Sequence, residues 1–232
     1  MLPSSPHLRR AAILGAMCAL AGCSDSPLSV PGTDPDGSAL FAMAQESVAE
    51  ANRLYHLADT ALAAGQYNRA ALLSAAIDGL QYGAPMHAIT VTLDGVAEPF
   101  SAILLEDDLT ENGAHLALAR SLVAWSGASA DRILIAYEQI DGPGFNAALF
   151  LDGGDAMFIH SGEGIAITRS GLAGECVYDL QTPLVGPRGD CRHTTMSATA
   201  TVSATLGEES RAIAVSTGSL AGVRVSRALE DF

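Results

Sequence analysis

The densest group of side chains with chemical potential is an acidic run, Glu106-Asp107-Asp108, followed closely by Glu111 and Asn112. Calcium takes about six to eight oxygen ligands in proteins, so an oxygen-rich loop of this kind could bind it. The spacing does not match an EF-hand loop, and runs of charge more often form solvated turns. We therefore expect a solvated turn at this position, and no metal site is predicted.

Hydrolytic chemistry would need a serine, a base to activate it and an acid to orient the base. The segment Gly218-Ser219-Leu220-Ala221-Gly222 has the wrong spacing for a GxSxG nucleophile elbow. The histidines His115, His160 and His193 could meet serines and carboxylates only through the fold. No catalytic residue is assigned, and a hydrolase with a site assembled from distant loops remains an alternative.

Cofactor signals are absent from the sequence, because neither a Rossmann glycine pattern after a strand nor a Walker loop occurs. The segment Asp152-Gly153-Gly154-Asp155 has the composition of a turn, and its two aspartates would repel phosphate. Trp125, Tyr137, Phe150 and Phe158 lie on predicted strands, where aromatic residues are usually part of the core. No cofactor is predicted.

Composition bounds the class of protein. The chain has 232 residues, of which 49% are hydrophobic and 16% charged, so a wholly disordered chain is excluded. The formal charge is −14, the twelve positive charges are all arginine, and the sequence pI is near 4.6. This acidic balance argues against nucleic acid as a partner and against electrostatic binding to anionic lipid.

The N-terminal segment indicates export. Arg9 and Arg10 precede twelve uncharged residues, Ala11 to Gly22. A helix of that length covers about 18 Å, well short of the roughly 30 Å hydrocarbon core, so the run is typical of a signal peptide. It ends in Leu20-Ala21-Gly22-Cys23, which resembles the lipobox of bacterial lipoproteins.

This resemblance implies that residues 1–22 are cleaved and that Cys23 carries diacylglycerol, with the new N-terminus acylated as well. The implied location is the cell envelope, and the implied partner is the membrane, through the lipid anchor. Ser24 after the lipidated cysteine favours the outer membrane in a host with two membranes. Losing the signal leaves 210 residues and, because Arg9 and Arg10 leave with it, a formal charge of −16.

Once Cys18 is removed and Cys23 is lipidated, only Cys176 and Cys191 remain, with fourteen residues between them. In an oxidising envelope two such thiols form a natural pair, so we predict a disulfide. A zinc site that includes His193 is the alternative, but the sequence does not supply the remaining ligands at a typical spacing.

Residues 23–37 predict a flexible lipidated tether, because they combine prolines, glycines and aspartates. Residues 38–84 predict a helical hairpin, with one helix from Ser38 to near Gly65 and a second from Gln66 to about Leu80. The apolar stripe of the first helix is predicted at Phe41, Ala44, Val48, Ala51, Tyr55, Ala58 and Leu62.

Residues 85–232 predict a β domain of about ten short strands separated by glycine-rich turns. The candidate strands are 87–93, 100–105, 122–125, 133–140, 147–151, 156–160, 164–168, 175–178, 197–205, 213–216 and 222–226. The turn after Leu93 is predicted to be longer than two residues. The fold class is therefore α+β and mainly β, with a helical hairpin packed on an antiparallel sandwich or barrel.

These features predict an envelope lipoprotein without catalytic activity, serving as a binding or structural module for an unknown envelope protein or small apolar ligand. Two alternatives remain open. One is the hydrolase already described, and the other is a carrier that holds an apolar ligand inside a β barrel.

Overall fold

The computed structural model describes residues 38–112, 114–140, 146–152, 154–176 and 189–228, in which two helices precede ten strands. The helices are α1 (Ser38–Ala63) and α2 (Tyr67–Gln81). The strands are β1 (His87–Leu93), β2 (Val96–Glu111), β3 (Ala114–Ser126), β4 (Arg132–Gln139), β5 (Asn146–Asp152), β6 (Met157–Ser161), β7 (Ile165–Glu175), β8 (Gly189–Leu206), β9 (Glu209–Ser216) and β10 (Leu220–Ala228). The predicted fold class, α+β and mainly β, is confirmed.

The two helices lie where their sequence signals place them. After α1 the chain turns at Gly65, whose φ of 76° is a left-handed conformation that favours glycine. After α2 the chain turns at Gly83, with φ 75°, and the N–H of Ala84 reaches back to the carbonyl of Gly79 at 3.0 Å. No helix of the described residues is both long enough and apolar enough to cross a membrane.

The buried face of α1 differs from the predicted stripe. Among the α1 side chains that the structure describes, the buried ones are Ser47, Ala51, Leu54, Ala58 and Ala61, while those of Phe41 and Ala44 lie outside the description. The larger members of the predicted stripe, Val48, Tyr55 and Leu62, are instead 46–48% exposed. The prediction for these three residues was wrong because α1 packs through a neighbouring stripe that shares Ala51 and Ala58 with the predicted one but is completed by Ser47, Leu54 and Ala61.

The ten strands form one ring-like sheet. One edge of β2 pairs with β3, while its other edge pairs first with β1 and then with β10. In the same way, one edge of the long strand β8 pairs with β9 and β10. The path β2-β3-β4-β5-β6 returns to β8 through the pair Ile159 and Thr205, and β7 pairs with β8 alone.

Two details of the pairing differ from the prediction. The strands β10 and β2 are parallel, whereas every other pair is antiparallel. The turn between β1 and β2 has only two residues, Asp94 and Gly95, with φ of 49° and 82°. Positive φ at both positions is the signature of a type I′ hairpin turn, so the expectation of a longer turn was wrong.

Alternation along the strands creates two apolar clusters. The inner cluster fills the interior of the ring with residues from β1 to β9, including Leu104 and Met196, and Leu220 of β10 packs against it. The outer cluster lies between the helices and one outer face of the ring, with Ile103, Trp125 and Leu73 among its members. Successive residues of β2 therefore point to opposite sides of the sheet, so the side chains of its acidic run are divided between the interior of the ring and its outer face.

Candidate functional site

The best candidate for a binding site is a cleft of about 450 Å³ between α2 and the outer faces of β2, β3 and β4, which we call the α2 cleft. Its volume lies within the range of roughly 300–1,000 Å³ typical of ligand pockets. It is lined by Ala75, Asp78, Leu105, Asp107, Leu109, Ala117, Ala119, Ser121, Val123, Ile135, Tyr137 and Arg227. Most of these side chains are apolar, and the polar ones come from different elements.

Small side chains on β3 open the cleft. Ala117, Ala119 and Ser121 alternate along the strand and all reach the same outer face. Further along the strand, Val123 and Trp125 on this face are buried among the helix residues. The strand therefore packs closely against the helices at one end, while its alanines leave space beside α2 at the other.

A charged pair forms one wall of the cleft. The Nε of Arg227, on β10, lies 3.0 Å from Oδ1 of Asp107, on β2. The Arg227 guanidinium also lies 5.0 Å from the centre of the Tyr82 ring, within the range of a cation–π contact. Arg227 is therefore fixed on one side by a carboxylate and on the other by an aromatic ring at the end of α2.

Three titratable groups of the α2 cleft have shifted pKa values. Burial raises the pKa of Asp107; Arg227 opposes that rise, and Asp78 adds to it. Burial also raises the pKa of Asp78, again opposed by Arg227. For Tyr137, burial raises the pKa and the charge of Asp107 raises it further. Perturbed groups that converge in a cleft are a signature of functional sites.

A second polar group lies inside the ring, where Glu106 is completely buried. Its Oε2 accepts a hydrogen bond from Arg120 Nε at 2.7 Å and lies 3.1 Å from Arg169 Nε. Its Oε1 lies 3.3 Å from Arg224 Nε, and Arg224 also pairs with the buried Asp108 through Nη2. Each buried carboxylate is thus paired, as the cost of burying a charge requires.

Side chains of this inner group also form hydrogen bonds with the backbone of β7. The carboxylate Oε2 of Glu138 accepts a hydrogen bond from the N–H of Ile167 at 2.7 Å. Arg120 donates from Nη1 to the carbonyl oxygen of the same residue at 3.2 Å. Because β7 pairs only with β8 in the described sheet, these two side chains replace the strand partner that its other edge lacks.

The acidic run predicted as a solvated turn is therefore a strand. Glu106 and Asp108 point into the ring, where arginines pair with them, while Asp107 points outward into the α2 cleft. Glu111 and Asn112 follow at the exposed end of β2. The prediction of a solvated turn was wrong because the alternation of a strand separates neighbouring acids onto two faces, each with its own arginine.

Two of the described histidine side chains contact backbone carbonyl oxygens. His160, through Nε2, contacts the carbonyl oxygen of Glu163 at 2.9 Å, and His87 contacts that of Ala221 at 2.7 Å. Burial lowers the pKa of His193, on β8. The side chain of His115 lies outside the described part of the structure. The described residues contain no group of three His, Cys, Asp or Glu placed to hold a metal ion.

The aromatic residues divide between core and cleft. Trp125 and Phe158 are buried, which confirms the prediction that they are core residues. Tyr137 instead lines the α2 cleft, and no pattern in the sequence distinguishes it from the other three aromatic residues. The side chain of Phe150 lies outside the described part of the chain.

The disulfide between Cys176 and Cys191 is confirmed, with 5.3 Å between the two Cα atoms. It joins the residue after β7 to β8 and packs against the outer cluster. Cys23, the lipobox and the predicted tether lie outside the described residues.

No family model matches this sequence, and neither a curated protein nor a solved structure matches the chain. The class of protein is therefore described from its fold and from its two polar groups, one in the α2 cleft and one around Glu106 inside the ring. It is a mainly β protein whose ring-like sheet carries a helical hairpin, an outer ligand-sized cleft and a charged interior at one end.

Proposed function

We propose that this protein is a lipid-anchored envelope protein that acts as a non-catalytic binding module, with the α2 cleft as its ligand site. The observation that carries the proposal is the composition of the cleft. An apolar floor lies beside two carboxylates, Asp78 and Asp107, and a single guanidinium, Arg227. The lipobox resemblance at Cys23 supports the anchor, and the acidic balance of the chain is consistent with attachment by lipid rather than by basic residues.

The charges of the cleft favour a ligand with an apolar body and a cationic group. Asp107 is paired with Arg227, so the carboxylate of Asp78 leaves the cleft with one excess negative charge. An ammonium group placed near Asp78 would meet that charge, while an alkyl or aromatic body would cover Leu105, Leu109 and Val123. Complementary charge gives such a site its selectivity, and apolar burial gives it affinity.

Binding is favoured over both alternatives. Carriage inside the ring finds little support in the described residues, because the apolar half of the interior is filled by its own side chains, such as Leu104, Leu134 and Met196. Hydrolysis finds little support because His87 and His160 contact backbone carbonyls. In the α2 cleft, moreover, the described lining residues include neither a histidine nor a cysteine beside the two carboxylates.

Calorimetric titration with octylamine, octanoate and octanol tests the ligand class, because the three probes share one alkyl chain and differ in charge. The full chain carrying Cys23→Ala is used, so that no detergent competes for the cleft. We expect octylamine to bind most tightly and octanoate least. Equal affinity for octylamine and octanoate would contradict the proposed charge preference.

Three variants locate the binding. Asp78→Asn should weaken octylamine binding about tenfold, as the loss of one charged partner does, and should leave octanol unaffected. Ala119→Leu should weaken all the probes, because its longer side chain fills the floor of the cleft. Asp59→Asn removes an acid from the exposed face of α1 and is the matched control. Octylamine binding that survives Ala119→Leu would place the site elsewhere.

The anchor is tested separately by fractionating cells that express the wild-type chain or Cys23→Ala. We expect the wild type in the membrane fraction and the variant in soluble form. An unchanged membrane fraction for Cys23→Ala would contradict the lipid anchor and would leave the proposal for the cleft standing.

A further inference from the structure

A line of exposed apolar side chains runs along α1. Val48, Tyr55 and Leu62, which we call the α1 stripe, are 46%, 48% and 47% exposed. They are spaced by seven residues, which is close to two helical turns, so the three side chains leave the helix in nearly the same direction. At 1.5 Å per residue, the α1 stripe covers about 21 Å of the helix axis.

The α1 stripe lies beside the face through which α1 packs on the rest of the protein. On one side of it, Ala51 and Ala58 are buried in the outer cluster. On its other side, Asn52 and Asp59 are exposed. Since residues three and four positions along a helix flank a given residue on opposite sides, the α1 stripe is an apolar edge between the packed face and the polar face of α1.

A protein partner, including a second copy of this chain, would need more area than the α1 stripe provides. A specific protein interface buries about 800 Å² on each partner, contributed by about 20–30 residues. Three side chains in a single row, each about half exposed, do not reach that area. A lipid surface has no such requirement, because it adapts to individual side chains and takes up each apolar group separately.

The chain between α1 and the proposed lipid anchor is short. Fourteen residues, 24–37, separate Cys23 from Ser38, the first residue of α1. A flexible chain of that length spans about 20 Å on average and about 50 Å when fully extended. A lipidated Cys23 therefore keeps α1 at the bilayer surface, where the high effective concentration allows a few apolar side chains to make a lasting contact.

The residues of the α1 stripe and its surroundings indicate which lipid surface fits. Tyr55 lies at the centre of the stripe, and tyrosine is enriched at membrane–water interfaces because its ring is apolar and its hydroxyl group polar. Glu46 and Asp59 are exposed elsewhere on α1. An anionic membrane surface would repel these two acids, so lipids without net charge are favoured.

We infer that the α1 stripe is the surface by which the anchored protein lies on the membrane. Val48, Tyr55 and Leu62 would enter the headgroup region of a bilayer whose lipids carry no net charge. Because all three contact the bilayer, the axis of α1 would lie parallel to the membrane plane. The inference rests on the lipid anchor of the proposed function and does not depend on the ligand of the α2 cleft.

Tryptophan quenching by brominated lipid tests this inference, with the lipidated full chain reconstituted in vesicles of phosphatidylcholine brominated near the headgroup end of its acyl chains. Leu62→Trp places a reporter in the α1 stripe. Thr60→Trp is the matched control, because it places a reporter at an exposed position about 160° around the same turn. Trp125 is common to both variants, so the difference between them reports the added residue. We expect brominated lipid to remove most of the added emission in Leu62→Trp and little of it in Thr60→Trp.

Equal quenching of the two variants, or quenching of neither, overturns the inference. A blue shift of the Leu62→Trp emission without quenching also overturns it, since the α1 stripe would then be buried against another copy of the chain. Density-gradient flotation separates the anchor from the stripe. A chain that does not float with the vesicles contradicts the lipid anchor and the inference with it, whereas one that floats without quenching in Leu62→Trp contradicts the inference alone. Both positions are exposed, so neither replacement should prevent folding.

Discussion

The indole Nε1 of Trp125 donates a hydrogen bond to Oε1 of Glu50, 2.8 Å away, and so connects β3 to α1. Glu50 in turn accepts hydrogen bonds from Arg53, which also donates to the carbonyl oxygen of Ala128. One carboxylate thus links the first helix, the ring and the turn after β3. The hydrogen bond from Arg53 lowers the pKa of Glu50; burial opposes this effect, and Trp125 reinforces it.

The first prediction concerns acid stability. A carboxyl group whose pKa is lower in the folded state adds stability above its unfolded pKa, about 4.3 for glutamate, and loses it as the pH falls through the folded value. We therefore expect Glu50→Gln to reduce the loss of stability between about pH 6 and pH 3. Trp125 is the only tryptophan and is fully buried, so its fluorescence during urea unfolding reports the result.

Glu46→Gln is the control for this prediction, because it makes the same substitution one turn earlier at an exposed position of α1. It should lose stability with acid as the wild type does. An unchanged acid dependence in Glu50→Gln would show that the bonds to Arg53 and Trp125 do not distinguish the folded from the unfolded state.

The second prediction concerns Glu106, which is completely buried between three arginines. Glu106→Gln leaves those guanidinium groups without their shared charge, and removal of one partner from a buried ion pair costs about 3–5 kcal/mol. Glu98→Gln breaks the partly exposed pair with Arg132 and should cost about 1 kcal/mol or less. Urea unfolding measures both, and equal costs would mean that the ion pairs of Glu106 contribute no more than a surface pair.

The third prediction concerns the disulfide. Closing a loop of about 15 residues contributes roughly 3 kcal/mol in the chain-entropy model. Reducing agent should therefore lower the free energy of unfolding of the wild type by about that amount and leave a Cys176→Ser/Cys191→Ser variant unchanged. If reduction has no effect on the wild type, the chain between the two cysteines must already be constrained in the unfolded state.

Most of the fold is predictable from the sequence because its signals are local. Alternation of apolar residues locates β1, β4 and β5 nearly residue by residue, and Gly65 and Gly83 mark the helix ends. The parallel pairing of β10 with β2 has no such signal, because it joins segments more than a hundred residues apart. The buried face of α1 was predicted incorrectly, since two apolar stripes lie side by side and only the tertiary packing chooses between them.

The candidate sites were not predictable, because each depends on partners that are distant in the sequence. Asp107 and Arg227 meet only through the parallel pair of strands, and Asp78 comes from a helix. Reading Glu106 and Asp108 as part of a strand would have suggested opposite faces for Asp107 and its neighbours. The arginines that pair with them lie on β3, β7 and β10, and only the closed sheet brings those strands together.

The fourth prediction is a pH dependence of ligand binding in the α2 cleft. Burial raises the pKa of Asp78 and of Asp107 above the ordinary value of about 4. Both carboxylates therefore take up protons earlier than exposed ones as the pH falls, while an alkylammonium keeps its charge. Octylamine affinity should decrease from about pH 7 towards pH 4, and octanol affinity should stay constant. A decrease shared by both probes would indicate partial unfolding rather than titration of the cleft.

The last prediction concerns Gly222 on β10, where the ring is tightly packed. A Cβ at this position would lie 2.8 Å from the carbonyl oxygen of Leu104 and 2.9 Å from Sδ of Met196. The methionine could move, but the backbone oxygen of β2 could not, so Gly222→Ala should cost about 1–3 kcal/mol. Gly171→Ala, where a Cβ meets nothing within 4 Å, should be neutral or stabilising by up to about 1 kcal/mol. Urea unfolding of the two variants compares them directly, and a Gly222→Ala protein as stable as Gly171→Ala would mean that β10 and β2 lie further apart than the structure places them.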